Sequence, residues 1–218
     1  MKFNLAFPFS QTALVLAALL LSCGLPVRGA DTVRVLALGD SLTAGYGLRE
    51  ADGFAAQLQT ALRGQGFDVD IVNAGVSGDT TTGGLARLDW ALADNPDAVI
   101  LELGANDGLR GIDPSITRAN LGAILVKLKH QNLPVLLAGM YAPTNLGVEY
   151  VNQFNSIYPQ LAAQHEVALY PFFLTGVVAI PALNQEDGIH PTREGVAVIV
   201  SGILPYVIEL ITQIRTSE

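Results

Sequence analysis

From Val33 onward the sequence predicts an α/β protein, a three-layer αβα sandwich built on a five-stranded parallel sheet. Short apolar runs alternate with amphipathic segments, the pattern of repeated βαβ units. Ser41, Gly78 and Asn106 each fall just past the end of one of the first three apolar runs. Open parallel sheets gather their ligands at the carboxyl ends of the strands. At 218 residues, with no internal repeat, linker or break in composition, the chain holds one such domain with a sizeable core.

The elements follow in order. Val33 to Leu38 is the first strand, closed by Gly39. Phe54, Leu58, Ala61 and Leu62 recur at helical spacing, and Gly64 and Gly66 stop that helix. Val69 to Ala74 is the second strand, Leu85, Leu88 and Leu92 mark the next helix, and Ala98 to Leu103 is a buried third strand. Asp113-Pro114 is a helix start, an N-cap acceptor followed by proline at the first helical position. Ile116, Leu121, Ile124, Leu125 and Leu128 give that helix its apolar stripe. Pro134 to Gly139 and Val167 to Tyr170 are the fourth and fifth strands. A final helix runs from Thr192 to about Ile214, with a bend expected at Gly202 or Pro205.

Residues 1–30 read differently. Lys2 is the only early charge before an apolar run from Leu14 to Leu21, too short to span a bilayer as a helix of roughly 20 residues. A secretory leader cleaved near Ala30 is expected, leaving residues 31–218 as a single domain in the periplasm or outside the cell. Cys23 is the only cysteine, so no internal disulfide forms. Leu20-Leu21-Ser22-Cys23 loosely matches a lipoprotein processing box, so an anchor through Cys23 stands as the alternative; without it no stable membrane partner is expected. Half the residues are hydrophobic and 15% are charged, which excludes disorder. A net charge of −8 excludes a nucleic-acid partner, since phosphate binding needs a basic footprint. A monomer or weak dimer is expected.

Four blocks carry chemistry: Gly39-Asp40-Ser41-Leu42, Ser77-Gly78-Asp79, Gly104-Ala105-Asn106-Asp107 and Asp187-Gly188-Ile189-His190. A serine hydroxyl is a poor nucleophile until a positioned base removes its proton. Of the three histidines, His130 sits beside Lys127 and Lys129 and His165 lies in a polar run. His190, in a constrained loop before Pro191, is the candidate base for Ser41. Asp187 is placed to accept from one ring nitrogen, leaving the other for the Ser41 proton. The backbone N–H groups of Ser41 and Gly78 and the side-chain amide of Asn106 are the candidate oxyanion hole. Asp40 and Asp107 are expected to order their loops by accepting backbone hydrogen bonds.

The stretch Gly39 to Gly47, Asn73 to Gly78, Gly104 to Asp107 and Asp187 to Pro191 resembles the GDSL, or SGNH, hydrolases over nearly everything from Val33 onward. Ser77-Gly78-Asp79-Thr80, Gly84 to Leu88, Leu101 to Gly104 with Asn106 to Gly111, and Tyr170-Pro171-Phe172-Phe173 are similar to the multifunctional thioesterase I, lysophospholipase and arylesterase group within it. The resemblance implies a flavodoxin-like sheet, no metal or organic cofactor, and a Ser41–His190–Asp187 triad with Ser41, Gly78 and Asn106 at the oxyanion. It implies hydrolysis of acyl esters and thioesters, small-molecule substrates, and a periplasmic home. Residues 140–147 and 174–185 depart from the group's pattern, so its pocket assignments do not transfer there.

Those two stretches are apolar. Leu174, Val177, Val178, Ile180 and Leu183 form either a core-packed helix or an acyl-chain wall, completed by Leu109, Arg110, Ile112, Met140, Tyr141 and Leu146. Leu109, Met140, Tyr141, Leu174, Ile180 and Leu183 are the expected substrate contacts, lining a shallow groove for short to medium acyl chains. A carbohydrate deacetylase is the alternative, with Trp90, Tyr46 and Tyr141 as its only aromatic sugar contacts. A non-catalytic flavodoxin-like binding module is the other; Asp40 would repel a flavin phosphate, and Gly39 to Gly47 lacks the dinucleotide fingerprint.

Overall fold

Seven consecutive residues of β1 (Val33–Gly39) show why the sheet is parallel and central: all but Arg34 are buried, so the strand is covered on both faces. The computed structural model describes Met1, Lys2 and residues 32–217. The expected leader, its cleavage site and Cys23 therefore lie outside the described residues.

After β1 the chain enters α1 (Ser41–Ala44), then α2 (Phe54–Gly64) and β2 (Val69–Gly75). α3 (Thr81–Ala91) leads to β3 (Ala98–Glu102), α4 (Ala105–Leu109), α5 (Pro114–His130) and β4 (Val135–Ala138). α6 (Val148–Asn155) and α7 (Ile157–His165) precede β5 (Ala168–Tyr170), and α8 (Arg193–Ser217) closes the chain. The five strands are all parallel, in the order β2-β1-β3-β4-β5. This is the doubly wound order in which the chain reverses direction across the sheet beside β1 and β3, where the crevice for a ligand opens.

Register places the site. Gly39, the last residue of β1, pairs with Gly75 of β2 and with Glu102 of β3. The three strands thus end level, and Ser41, Gly78 and Asn106 follow those ends within a few residues. Arg87 from α3 fastens this rim: its guanidinium donates to the carbonyl oxygens of Gly39 (2.8 Å) and Ala74 (2.9 Å) and to the Asp79 carboxylate (2.7 Å).

The expected strands and helices all form, with ends shifted by up to three residues. Asp113 caps α5 as read, accepting from the Ser115 N–H at 2.9 Å with Pro114 at the first position. α8 runs unbroken through Gly202 and Pro205. It is long and apolar enough to cross a membrane by composition, yet Val196, Ile199, Ile203, Val207, Leu210 and Ile211 bury its stripe in the core. The sequence reading missed α6 and α7, which pack Phe154, Ile157, Tyr158 and Leu161 inward. Residues 174–185 are turns and a single 3-10 turn at Pro181–Leu183, not the helix considered for them.

Candidate active site

The Ser41 hydroxyl is presented by a tight strand-to-helix turn. Asp40, fully buried, caps α1 by accepting the Leu42 N–H on Oδ1 at 3.0 Å. Its Oδ2 accepts from the Asn106 side-chain amide at 3.1 Å. One carboxylate thus fixes both the turn carrying Ser41 and the orientation of Asn106. Burial pushes the Asp40 pKa up to about 6, against the pull of the hydrogen bonds from Leu42 and Asn106.

Behind it, Glu102 at the end of β3 is fully buried. Its Oε2 accepts from Thr43 Oγ1 (2.7 Å) and the Asp40 N–H (3.3 Å), while Oε1 has no partner among the described residues. Burial, and then the neighbouring Asp40 charge, hold the Glu102 carboxyl well above the usual carboxylate range. Asp107 orders the third loop. It accepts the Thr81 N–H at 2.9 Å, the Thr81 hydroxyl, and the Thr117 hydroxyl at 3.1 Å.

His190 closes over Ser41 from the opposite side. Its Nε2 lies 2.9 Å from Ser41 Oγ and its Nδ1 lies 2.6 Å from Asp187 Oδ2. Asp187 Oδ1 accepts the N–H groups of His190 (3.0 Å) and Ile189 (2.9 Å). Those bonds, led by the His190 N–H, pull the Asp187 pKa down to about 2, so the carboxylate is charged across the neutral range. The Asp187 side chain is 38% exposed, so its hold on the imidazole rests on geometry and hydrogen bonding more than on burial. The Tyr46 ring leans on the imidazole, centroids 4.4 Å apart.

Gly78 has φ +80°, a conformation that strains any residue with a Cβ. Arg110 Nη2 donates to the Gly78 carbonyl at 2.8 Å. Among the described residues the N–H groups of Ser41 and Gly78 donate no hydrogen bond, which leaves both for a ligand. Also among the described residues, no cluster of three His, Cys, Asp or Glu is placed to hold a metal. The structure brings Ser41, Asn106 and His190 together at the cleft with Asp187 behind His190, while Gly78 follows the end of neighbouring β2 outside the cleft lining. His130 ends α5 on the surface, and His165 lies at the end of α7, away from Ser41.

A cleft of about 610 Å³ opens beside the Ser41 hydroxyl. Leu109, Met140, Tyr141 and Leu174 line it as expected; Ile180 and Leu183 do not. The backbone turns at Ala179 (φ +61°), which leaves Ile180 42% exposed on the outer surface, while Leu183 packs toward the core below α8. Val177 is a core residue, and Arg110, Ile112 and Leu146 also lie outside the cleft lining. Val178, one of the residues read as a possible acyl-chain wall, borders the cleft, and Phe172 and Ile189 supply wall that the sequence reading missed. Phe172 stacks on Tyr141 with centroids 4.4 Å apart. The signal was present in the pair Phe172-Phe173, where adjacent residues past a strand face opposite ways: Phe173 is buried, Phe172 borders the cleft. Trp90 projects from α3, outside the cleft.

A doubly wound parallel sheet with serine, imidazole, carboxylate and free N–H donors on its carboxyl rim has the architecture of a serine hydrolase that cleaves acyl bonds. Residues 37–198 match the GDSL-like lipase/acylhydrolase family model, and the chain belongs to that family. It is similar to Esterase TesA of Pseudomonas aeruginosa, 42% identical over 172 residues covering 78% of this chain and 86% of that one. Thioesterase 1/protease 1/lysophospholipase L1 of Escherichia coli K12 is 40% identical over 195 residues, 89% of each chain. Among solved structures, the esterase EstA from Pseudoalteromonas sp., inhibited by monoethylphosphonate, aligns with a TM-score of 0.78 at 33% identity, covering 82% of this chain and 98% of its own. The chain is an ester-hydrolysing enzyme of this family, with the five-stranded parallel sheet of the SGNH hydrolases.

Proposed function

We propose that Ser41 is the acylated nucleophile, His190 its base, Asp187 the group that orients His190, and Ser41, Gly78 and Asn106 the oxyanion donors. The observation that carries this reading is the 2.9 Å contact between Ser41 Oγ and His190 Nε2 at the floor of an apolar cleft. Oγ attacks the ester carbonyl as Nε2 takes its proton, and the new charge on the carbonyl oxygen is met by the three donors. The tetrahedral intermediate collapses by expelling the alkoxide or thiolate, which leaves with the proton from His190. Water, activated by the same imidazole, then releases the acid and restores Ser41. Losing one donor to such an oxyanion typically costs about 2.7 to 4 kcal/mol of barrier.

The substrates proposed are acyl esters and thioesters with short to medium acyl chains. Leu109, Met140, Tyr141, Phe172, Leu174 and Ile189 offer the chain an apolar wall. Each methylene they bury is worth about 0.8 kcal/mol. Two of the relatives are named esterase and thioesterase, which supports breadth in the leaving group. Hydrolysis of p-nitrophenyl esters from acetyl to palmitoyl, with acyl-coenzyme A thioesters beside them, tests the reading. Turnover that disappears in folded Ser41→Ala is expected; equal turnover by that variant would end the serine mechanism. Export to the periplasm or medium is proposed from the apolar leader, and fractionation of expressing cells, with a lipid label for Cys23, tests both routes.

A further inference from the structure

The His190 imidazole is carried on a loop with little secondary structure, and its carboxylate partner is itself exposed. Something other than helix or strand must hold that loop over Ser41. Gln185 is built into both sides of the gap. Its side-chain Nε2 donates to the Tyr46 carbonyl at 2.8 Å and to the Pro191 carbonyl at 2.9 Å. Its backbone N–H donates to the His190 carbonyl at 2.7 Å, and its own carbonyl accepts from Gly188 at 2.9 Å. Tyr46 belongs to the turn that follows α1, the helix that begins at Ser41. The same Tyr46 lays its ring on His190.

Two further details support a fitted contact. The Gln185 amide oxygen sits where a Cβ on Gly47 would be, so the side chain packs into space left by a glycine at φ +73°. Both amide protons are used, one for each side of the gap. We propose that Gln185 is a positioning residue that clamps the His190 loop to the Ser41 turn and so sets the Nε2-to-Oγ approach. This rests on the serine–histidine reading of the site. Gln185 does not border the cleft and touches no reacting atom. Its loss acts on proton transfer, not on substrate binding, and a misplacement of about 1 Å in such a site can cost on the order of a hundredfold in rate.

The test uses Gln185→Met, which keeps the length and removes both donors, and Gln185→Glu, which keeps the size and an acceptor oxygen. Expected for both is a fall in kcat of about tenfold to a hundredfold, with KM within about twofold of the parent and a native-like melting temperature. A kcat within about twofold of the parent in both folded variants would overturn the clamp. So would a fall in stability or a rise in KM that accounts for the whole loss, since the residue would then be structural only. Crystal structures of the variants supply a readout independent of activity. A Nε2–Oγ separation opened well beyond 2.9 Å supports the clamp, and an unchanged one refutes it. If the parent itself hydrolyses no ester, the hydrolase reading fails, while the separation still decides the clamp.

Discussion

The Asn106 amide and the Asp40 carboxylate are joined at 3.1 Å, and this bond fixes which way the second N–H of the amide can point. Asp40 also caps the helix that starts at Ser41. Replacing it with alanine removes the cap, worth about 1 kcal/mol, and frees the Asn106 amide to rotate. Asp40→Ala is expected to lower kcat by about tenfold to a hundredfold, less than the loss of an oxyanion donor outright. Because burial raises the Asp40 pKa to about 6, the parent should also lose activity as pH falls through that value by an ionisation that Asp40→Ala lacks. Profiles of kcat against pH for parent and variant check both statements; a parent fitted by a single ionisation would count against the Asp40 contribution.

Asp187 holds His190 by three bonds, one to the ring and one each to two backbone N–H groups through its other oxygen. Asp187→Asn keeps the shape but presents an amide that can donate to Nδ1, favouring the tautomer with Nε2 protonated. That tautomer cannot accept the Ser41 proton. The expected fall in kcat is about 10³- to 10⁴-fold, by analogy with the chymotrypsin-type triad, with KM little changed. Steady-state kinetics measure it, and a loss under about tenfold would mean that the exposed carboxylate contributes only to loop order.

Much of this site was legible before any coordinates, for a physical reason. A parallel strand buried on both faces is a near-continuous apolar run, so the ends of β1 and β3 are visible, while edge strand β2, interrupted by Asp70 and Asn73, is marked by its apolar alternation and by Gly75 after it. The cleft wall was less legible. Apolarity alone does not say which surface a residue faces: Leu174 borders the cleft, Val177 fills the core and Ile180 faces solvent within one short stretch. α6 and α7 were missed although Val151, Phe154, Tyr158 and Leu161 keep a helical spacing. Pro159 reads as a breaker, yet it sits in the first turn of α7, where its missing N–H costs nothing. Gln185 carries no sequence signal, because both acceptors of its amide are main-chain carbonyls.

Arg87 and Asp79 are 16% and 10% exposed, and the guanidinium also satisfies two carbonyls at strand ends. Arg87→Ala strands a nearly buried carboxylate and removes a donor from two main-chain carbonyls, of which Gly39 keeps the Val76 N–H. Removing one partner of a buried pair costs about 3 to 5 kcal/mol. The loss should appear in urea unfolding, and a change below about 1 kcal/mol would show that water takes over these contacts.

Glu102 and Asp40 make the protein's stability fall toward alkaline pH. Both carboxyls have folded pKa values above their ordinary ones, chiefly from burial, Asp40 near 6 and Glu102 well above its usual range. Between the ordinary and the raised values the native state binds more protons than the unfolded chain, so stability declines as pH rises through that window. Asp187 has the opposite sign, but its pKa is lowered to about 2, so its contribution is lost only on acidification below the ordinary aspartate range. Urea midpoints are therefore expected to be higher at about pH 5.5 than at about pH 8. Glu102→Gln removes the larger of the two raised groups while keeping an acceptor for the Thr43 hydroxyl. It should narrow the difference between the two midpoints, with most of the change at the alkaline end. An unchanged difference would mean that the Glu102 carboxyl is already ionised in the folded protein at about pH 5.5, as it is in the unfolded chain, and that Asp40 alone sets the slope.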